Sequence, residues 1–159
     1  MKTRIIAVCL PLVVAGCWSA NAYVTKLPTE RRNVLQNVSH FREAHAVTNL
    51  PPSILALCAD SKGRLAGPGQ KWQVTDVITD DKLPRKRLIW AATDGDYWVV
   101  HYERGGIGHS YHVMVIQVPQ GDSKPSFVWR GVGERLKDFS AFLAAVQNNK
   151  LDDALEYAY

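Results

Sequence analysis

Residues 86–93 and 96–104 are two apolar runs joined by Asp94-Gly95. An Asp-Gly pair between such runs reads as the two-residue type I′ turn of a β-hairpin, because glycine accepts the positive φ that the turn demands. The second run is apolar on both sides. Alternation along 97–103 puts Tyr97 and Val99 on one face, and Trp98, Val100 and Tyr102 on the other. A strand of this kind must be covered on both faces. Helices are expected over one; a curled sheet, a ligand or a second copy would serve for the other.

The flanking segments extend the pattern. Trp72, Val74 and Ile78 alternate with polar residues and predict a strand over 70–79. Gly105-Gly-Ile-Gly108 turns the chain into a strand over 109–118, and residues 121–125 lead to a last strand at 127–130. Before this run, Thr29 caps a helix over 30–45 whose apolar positions include Val34, Val38 and Phe41. Asn49-Leu-Pro-Pro52 breaks it and opens a short helix reaching Ala59. Leu136, Phe139, Leu143 and Val146 mark an amphipathic helix, and Leu151, Leu155 and Tyr159 a shorter one. The expected class is α+β: an antiparallel meander of about five strands with N-terminal and C-terminal helices packed on it.

The start of the chain reads as an address. Met1-Lys-Thr-Arg4 is basic, residues 5–16 carry no charge, and small residues follow, which is the layout of a secretory signal peptide. The apolar run is too short to span a hydrocarbon core, which takes about 20 residues. Val14-Ala15-Gly16-Cys17 resembles the lipobox of bacterial lipoprotein precursors, in which the cysteine is lipidated and becomes the first residue. The resemblance implies acylation at Cys17, and the lack of Asp at position 18 resembles outer-membrane sorting signals. The competing site is Ala20-Asn21-Ala22, where signal peptidase would cut before Tyr23. Both place the protein in the envelope, as an outer-membrane lipoprotein or in the periplasm, or secreted beyond it. They leave 1–22 as signal and 23–159 as one globular domain.

The 159 residues carry 19 basic and 15 acidic side chains, a net charge of +4 that falls to +2 without Lys2 and Arg4. That balance is too small to imply a nucleic-acid partner. Cys58 is the only unmodified thiol left after processing and sits in an apolar helical stretch, as a buried, inert cysteine does. Trp72, Trp90, Trp98 and Trp129 are expected mostly in the core. Lys71 and Arg85-Lys-Arg87 fit a strand end that resists edge pairing, and they could also attract acidic lipid or polysaccharide.

One constellation suggests chemistry. With a two-residue Asp94-Gly95 turn, Leu88 faces His101 and Trp90 faces Val99. A two- or four-residue turn after Arg104 puts His101, Glu103, Ser110 and His112 on one face, and Tyr102, Arg104, His109 and Tyr111 on the other. The four-residue turn brings His101 and His112 side chains within about 5 Å. Two imidazoles and a carboxylate can bind zinc or work as an acid–base pair, and they equally form a hydrogen-bonded polar rim. No zinc-site spacing, G-x-S-x-G or phosphate-binding glycine loop is present, and no metal or cofactor is implied. The expected function is therefore a small exported envelope binding protein. Its partner would be a protein, cell-wall material or a small ligand against the sheet, with an inhibitor or immunity role as a special case. The alternative is a small envelope hydrolase or metal-binding protein using His101, Glu103 and His112.

Overall fold

The computed structural model describes residues 26–119 and 124–153. The signal region with Cys17, and Leu155 and Tyr159, lie outside them. Six strands run in chain order across one antiparallel sheet: β1 (Arg42–Ala44), β2 (Lys86–Thr93), β3 (Tyr97–Arg104), β4 (Ser110–Gln117), β5 (Ser126–Gly133) and β6 (Asp152–Asp153). With helices α1 (Thr29–Leu35), α2 (Pro52–Cys58) and α3 (Phe139–Gln147), the class is α+β.

The strand count is six rather than five, and one expected strand is absent. Segment 70–79 joins no ladder of the sheet; its isolated bridge, Thr75 to Gly106, reaches the loop after β3. Its Gln73 is buried, and the side-chain amide donates to the carbonyls of Thr75 and Val77 and accepts from the Thr79 hydroxyl. The segment thus closes its hydrogen bonds on itself instead of on a ladder. The helix expected over 30–45 ends at Leu35. Phe41 stacks on Phe139 with ring centroids 4.4 Å apart, and Glu43 Oε1 accepts from the Phe139 N–H at 2.9 Å. Those contacts draw residues 42–44 out as edge strand β1, against Ala91–Thr93. Tertiary packing overrides helix propensity here.

The Asp94-Gly95 hairpin forms, with a wider loop. Thr93 pairs with Trp98, so four residues turn the chain. Asp94 Oδ1 accepts from the N–H groups of Asp96 and Tyr97, Thr93 Oγ1 donates to Tyr97 O at 2.7 Å, and Gly95 takes φ +103°. That loop sets Trp90 opposite His101, and a bulge at Ile89 then shifts the lower half of the pair, so Leu88 faces Tyr102.

Both sheet faces are covered, and helices cover both. On the first face, Trp90, Val99, Val113, Val115 and Trp129 share a core with Phe139, Phe142, Leu143 and Val146 of α3 and Leu35 of α1. On the second, Leu88, Ala91, Trp98, Val100, Tyr102, Met114 and Ile116 share one with Ile54 and Cys58 of α2. Trp72, Trp90, Trp98 and Trp129 are all buried. The tryptophans therefore make core, and among the described sheet aromatics Phe127 of β5 is the exposed one, at 43%. Asp138 caps α3, accepting from the Ala141 N–H at 2.8 Å. No helix among the described residues is long and apolar enough to cross a membrane.

Phe142 is fully buried where α3 meets the sheet. Phe142→Ala is expected to lower unfolding free energy by about 3–5 kcal/mol in urea titration. Ile107→Ala, at a side chain 98% exposed, should stay within about 0.5 kcal/mol of the parent. Equal midpoints for the two variants would contradict the layer assignment.

Candidate functional site

Strand parity decides which side chains meet. Arg104 pairs with Ser110, Tyr102 with His112 and His101 with Val113, so a five-residue loop, 105–109, joins β3 to β4. The loop is set by its contacts with other segments. The Gly105 N–H donates to Arg85 O at 3.0 Å, and the Gly106 N–H to Val74 O at 3.1 Å. A Cβ on Gly105 would lie 2.1 Å from the Gln73 carbonyl oxygen, so only glycine fits. The odd loop length turns β4 over relative to the expected register. His101 and Glu103 consequently share the first face with Tyr111, while His112 stands on the second with Tyr102, Arg104 and Ser110. The expected grouping of His101, Glu103 and His112 on one face is not formed. Nor do His109 and Tyr111 lie with Tyr102 and Arg104.

His101 is fully buried and both its ring nitrogens are engaged. Nε2 accepts from the Leu136 N–H at 3.0 Å, so Nδ1 carries the proton and donates to His112 O at 2.9 Å. Burial pushes its pKa down to about 4, helped by Arg135 and opposed by the hydrogen bond to His112 O and by Glu103. A neutral imidazole with both nitrogens committed ties the α3 approach to the sheet.

Glu103, also buried, sits between two partners. Arg87 Nε lies 2.6 Å from Oε1, and His109 Nε2 lies 2.8 Å from Oε2. Trp72 flanks both, with the Arg87 guanidinium 5.1 Å and the His109 ring 5.4 Å from its own ring centroid. A buried carboxylate needs such pairing, and this cluster pins the 70–79 segment to the end of β3. Among the described residues, no group of three or more His, Cys, Asp or Glu side chains is placed to hold a metal ion.

The second face is covered unevenly. Seven-residue α2 spans about 10 Å, against about 26 Å for an eight-residue strand. It stops at Cys58, and Lys86 Nζ donates to Ala59 O at 2.9 Å just beyond its end. Past that point the sheet opens into two adjoining clefts that share Arg85 and Arg104. One, of about 740 Å³, is walled by the glycine hairpin 105–108, Ser110, His112 and Val132, with Asp76 and Asp152 also lining it. The other, of about 480 Å³, carries Arg85, Lys86, Arg104 and Arg130 against Asp60 alone.

Within the larger cleft, Ser110 Oγ lies 2.8 Å from His112 Nε2, and the imidazole stacks on Tyr102 with centroids 5.3 Å apart. His112 is 4% exposed, and its Nδ1 has no hydrogen-bond partner among the described residues. Burial first, then Arg104, Arg130, Lys86 and His101, push its pKa down to about 4. Burial and the charges of Arg130 and Arg104 likewise lower that of Lys86. Asp60 is held below its usual range. Burial, the largest influence, opposes this and is outweighed by the backbone N–H groups of Arg64, Arg85 and Lys62 and the Arg64 guanidinium. Cys58 is fully buried and its thiol is pushed up to about 12, leaving it unreactive.

Chemically, the clefts offer cations, a hydroxyl and a neutral imidazole. Sequence reasoning named Arg104 and Lys86 without joining them, and it omitted Arg130. No spacing along β2, β3 or β5 signals them; only the observed register sets Lys86 beside Arg104 and Arg104 beside Ser110. Compared with family models, curated proteins and solved structures, the chain gives no match.

His101 and His112 ionise near 6.5 when unfolded and near 4 when folded. The unfolded chain therefore binds more protons between these values. Stability is expected to fall as pH drops from about 6.5 to 4 and then cease to depend on these two groups. Asp60 adds a loss only below its ordinary 3.8. Urea midpoints taken across that window should decline, and His101→Gln should flatten the slope.

Proposed function

We propose that this chain is a small exported binding protein of the cell envelope, whose site is the cleft between the 105–108 hairpin and the end of α2. The observation that carries the reading is a concave opening lined by a hydroxyl and by a buried imidazole with an unpartnered nitrogen. The cleft of about 740 Å³ is lined by Ser110 and by His112, whose Nδ1 lacks a partner among the described residues. Pockets with a few convergent polar groups are where small ligands bind. Helices and the 70–79 segment cover most of the rest of the sheet, so a ligand or a projecting group of a protein or cell-wall partner would enter here. Export is supported by the basic and apolar start of the sequence. Val14-Ala15-Gly16-Cys17 supports a lipid anchor at Cys17, in the outer membrane or facing the periplasm. An inhibitor or immunity role would use the same cleft rim, where Ile107 is 98% exposed.

The Ser110–His112 hydrogen bond favours a second reading, a small envelope hydrolase with Ser110 as nucleophile and His112 as base. Against it, no carboxylate orients Nδ1 among the described residues, and an imidazole with a pKa of about 4 is a weak base at neutral pH. A metal site using His101, Glu103 and His112 would need His101 to release the Leu136 N–H.

A native mass spectrum of the full chain, extracted in detergent from its own envelope, tests the proposal. It should carry a non-covalent adduct that disappears in Gly108→Trp, at a position where an added Cβ meets nothing within 4 Å, with the circular dichroism spectrum unchanged. An adduct that survives this substitution would place binding elsewhere. Ester turnover abolished by Ser110→Ala would install the hydrolase.

A further inference from the structure

We infer that the larger cleft binds a neutral saccharide, with hydroxyls on Ser110, His112 and Asp152 and an apolar ring face on Val132. The inference rests on the binding reading above and names the chemistry of its ligand.

Register builds the floor of that cleft. Asp152 of β6, Val132 of β5 and His112 of β4 stand side by side on the second face, so the row spans about 10 Å. Ser110 lies two residues along β4 on the same face, and β5 ends at Gly133, opposite Tyr111. No β5 residue pairs with Ser110, and the cleft opens over it, walled by the 105–108 hairpin.

The Ser110–His112 pair carries no charge and works in both polarities. Ser110 Oγ lies 2.8 Å from His112 Nε2, and Nδ1 has no hydrogen-bond partner among the described residues. With Oγ–H donating to Nε2, the hydroxyl oxygen accepts and Nδ1–H donates. With the proton on Nε2 instead, the hydroxyl donates and Nδ1 accepts. A ligand hydroxyl is both donor and acceptor and meets either state. Burial, with Arg104 next in weight, keeps the imidazole neutral at neutral pH. Arg104, paired with Ser110 across the ladder, is itself already engaged. A charged ligand group set against His112 would lose its hydration with no free counter-charge beside it.

The remaining charged groups around the cleft, Asp76, Asp152 and Arg85, are all exposed. Exposed charge pairs contribute about 0–1 kcal/mol, so these three select weakly for an ion. Each can bond a hydroxyl, the carboxylates as acceptors and the guanidinium as donor. The wall favours a saccharide over a peptide. The Gly105 and Gly106 N–H groups already donate to Arg85 O and Val74 O, and a bridge joins Gly106 to Thr75. At these residues the hairpin has no open edge for an extended chain to join.

Isothermal titration of the full chain tests this, with glucose, N-acetylglucosamine, cellobiose and chitobiose as neutral ligands. Glucosamine, glucuronate and triglycine are titrated at matched ionic strength. Saturable one-to-one binding of at least one neutral sugar is expected, weakened about tenfold by Ser110→Ala and abolished by Gly108→Trp. Lys137→Gln, at a solvent-exposed side chain just before α3, should bind as the parent does. Absence of saturable heat with all four sugars, whether or not triglycine binds, would overturn the inference. So would tighter binding of glucosamine or glucuronate than of every neutral sugar, or equal binding by Ser110→Ala and Lys137→Gln. Should Ser110→Ala fail to fold, the imidazole nitrogen resonances of the parent decide. A bound sugar must move those of His112 and leave those of His101 in place, and the reverse would overturn the assignment. A native adduct lost in Gly108→Trp, in a protein that ignores all four sugars, would remove the saccharide and keep the binding site. Failure of both removes both.

Discussion

Strand β3 is buried from Tyr97 to Glu103, and its backbone has no water to bond with. Every N–H and C=O along it must be satisfied by β2 on one side and β4 on the other, because an orphaned buried amide costs about as much as a lost hydrogen bond. Tyr97 and Val99 face one layer and Trp98, Val100 and Tyr102 the other, so the same strand requires a cover above and a cover below. The six-strand meander and the opposed helices, α1 and α3 against α2, follow from that double demand.

The covers are unequal, and the candidate site is the consequence. On the first face Leu136, at the approach to α3, accepts from Trp90 Nε1 and donates to His101 Nε2. There the end of β3 is closed further by the Arg87–Glu103–His109 cluster under Trp72. On the second face α2 begins at a proline pair and ends after two turns at Cys58. The strands run on past it, and the side chains they expose there are Lys86, Arg104, Ser110 and Arg130. A sheet end left uncovered in this way is concave, polar and anchored on rigid ladder positions, which suits recognition of a polar ligand.

Legibility in the sequence tracked the range of the interaction. The Asp94-Gly95 hairpin, the two-faced strand, the short helix after Pro51-Pro52 and the helix spaced by Phe139, Leu143 and Val146 were readable, because each depends on neighbours a few residues apart. The helix expected through His45 was misjudged because Phe41 and Glu43 bond to Phe139, almost a hundred residues away. The 70–79 strand was misjudged because Gln73 bonds its own loop. Most costly for the site was one loop length. His101 and His112 were each singled out, yet Gly105 and Gly106 dock on Arg85 and Val74, and that contact sets five residues in place of two or four.

By itself the sequence determined the α+β class, the antiparallel order of the central strands, the burial of Cys58 and of most of the tryptophans, and the need for cover on both faces. These follow from alternation and turn chemistry, which are local. Only the tertiary structure decided which residues share a face. A ladder has period two, so a single residue in a loop moves every side chain of the next strand to the other side, and the forces that choose that residue come from segments distant in the chain.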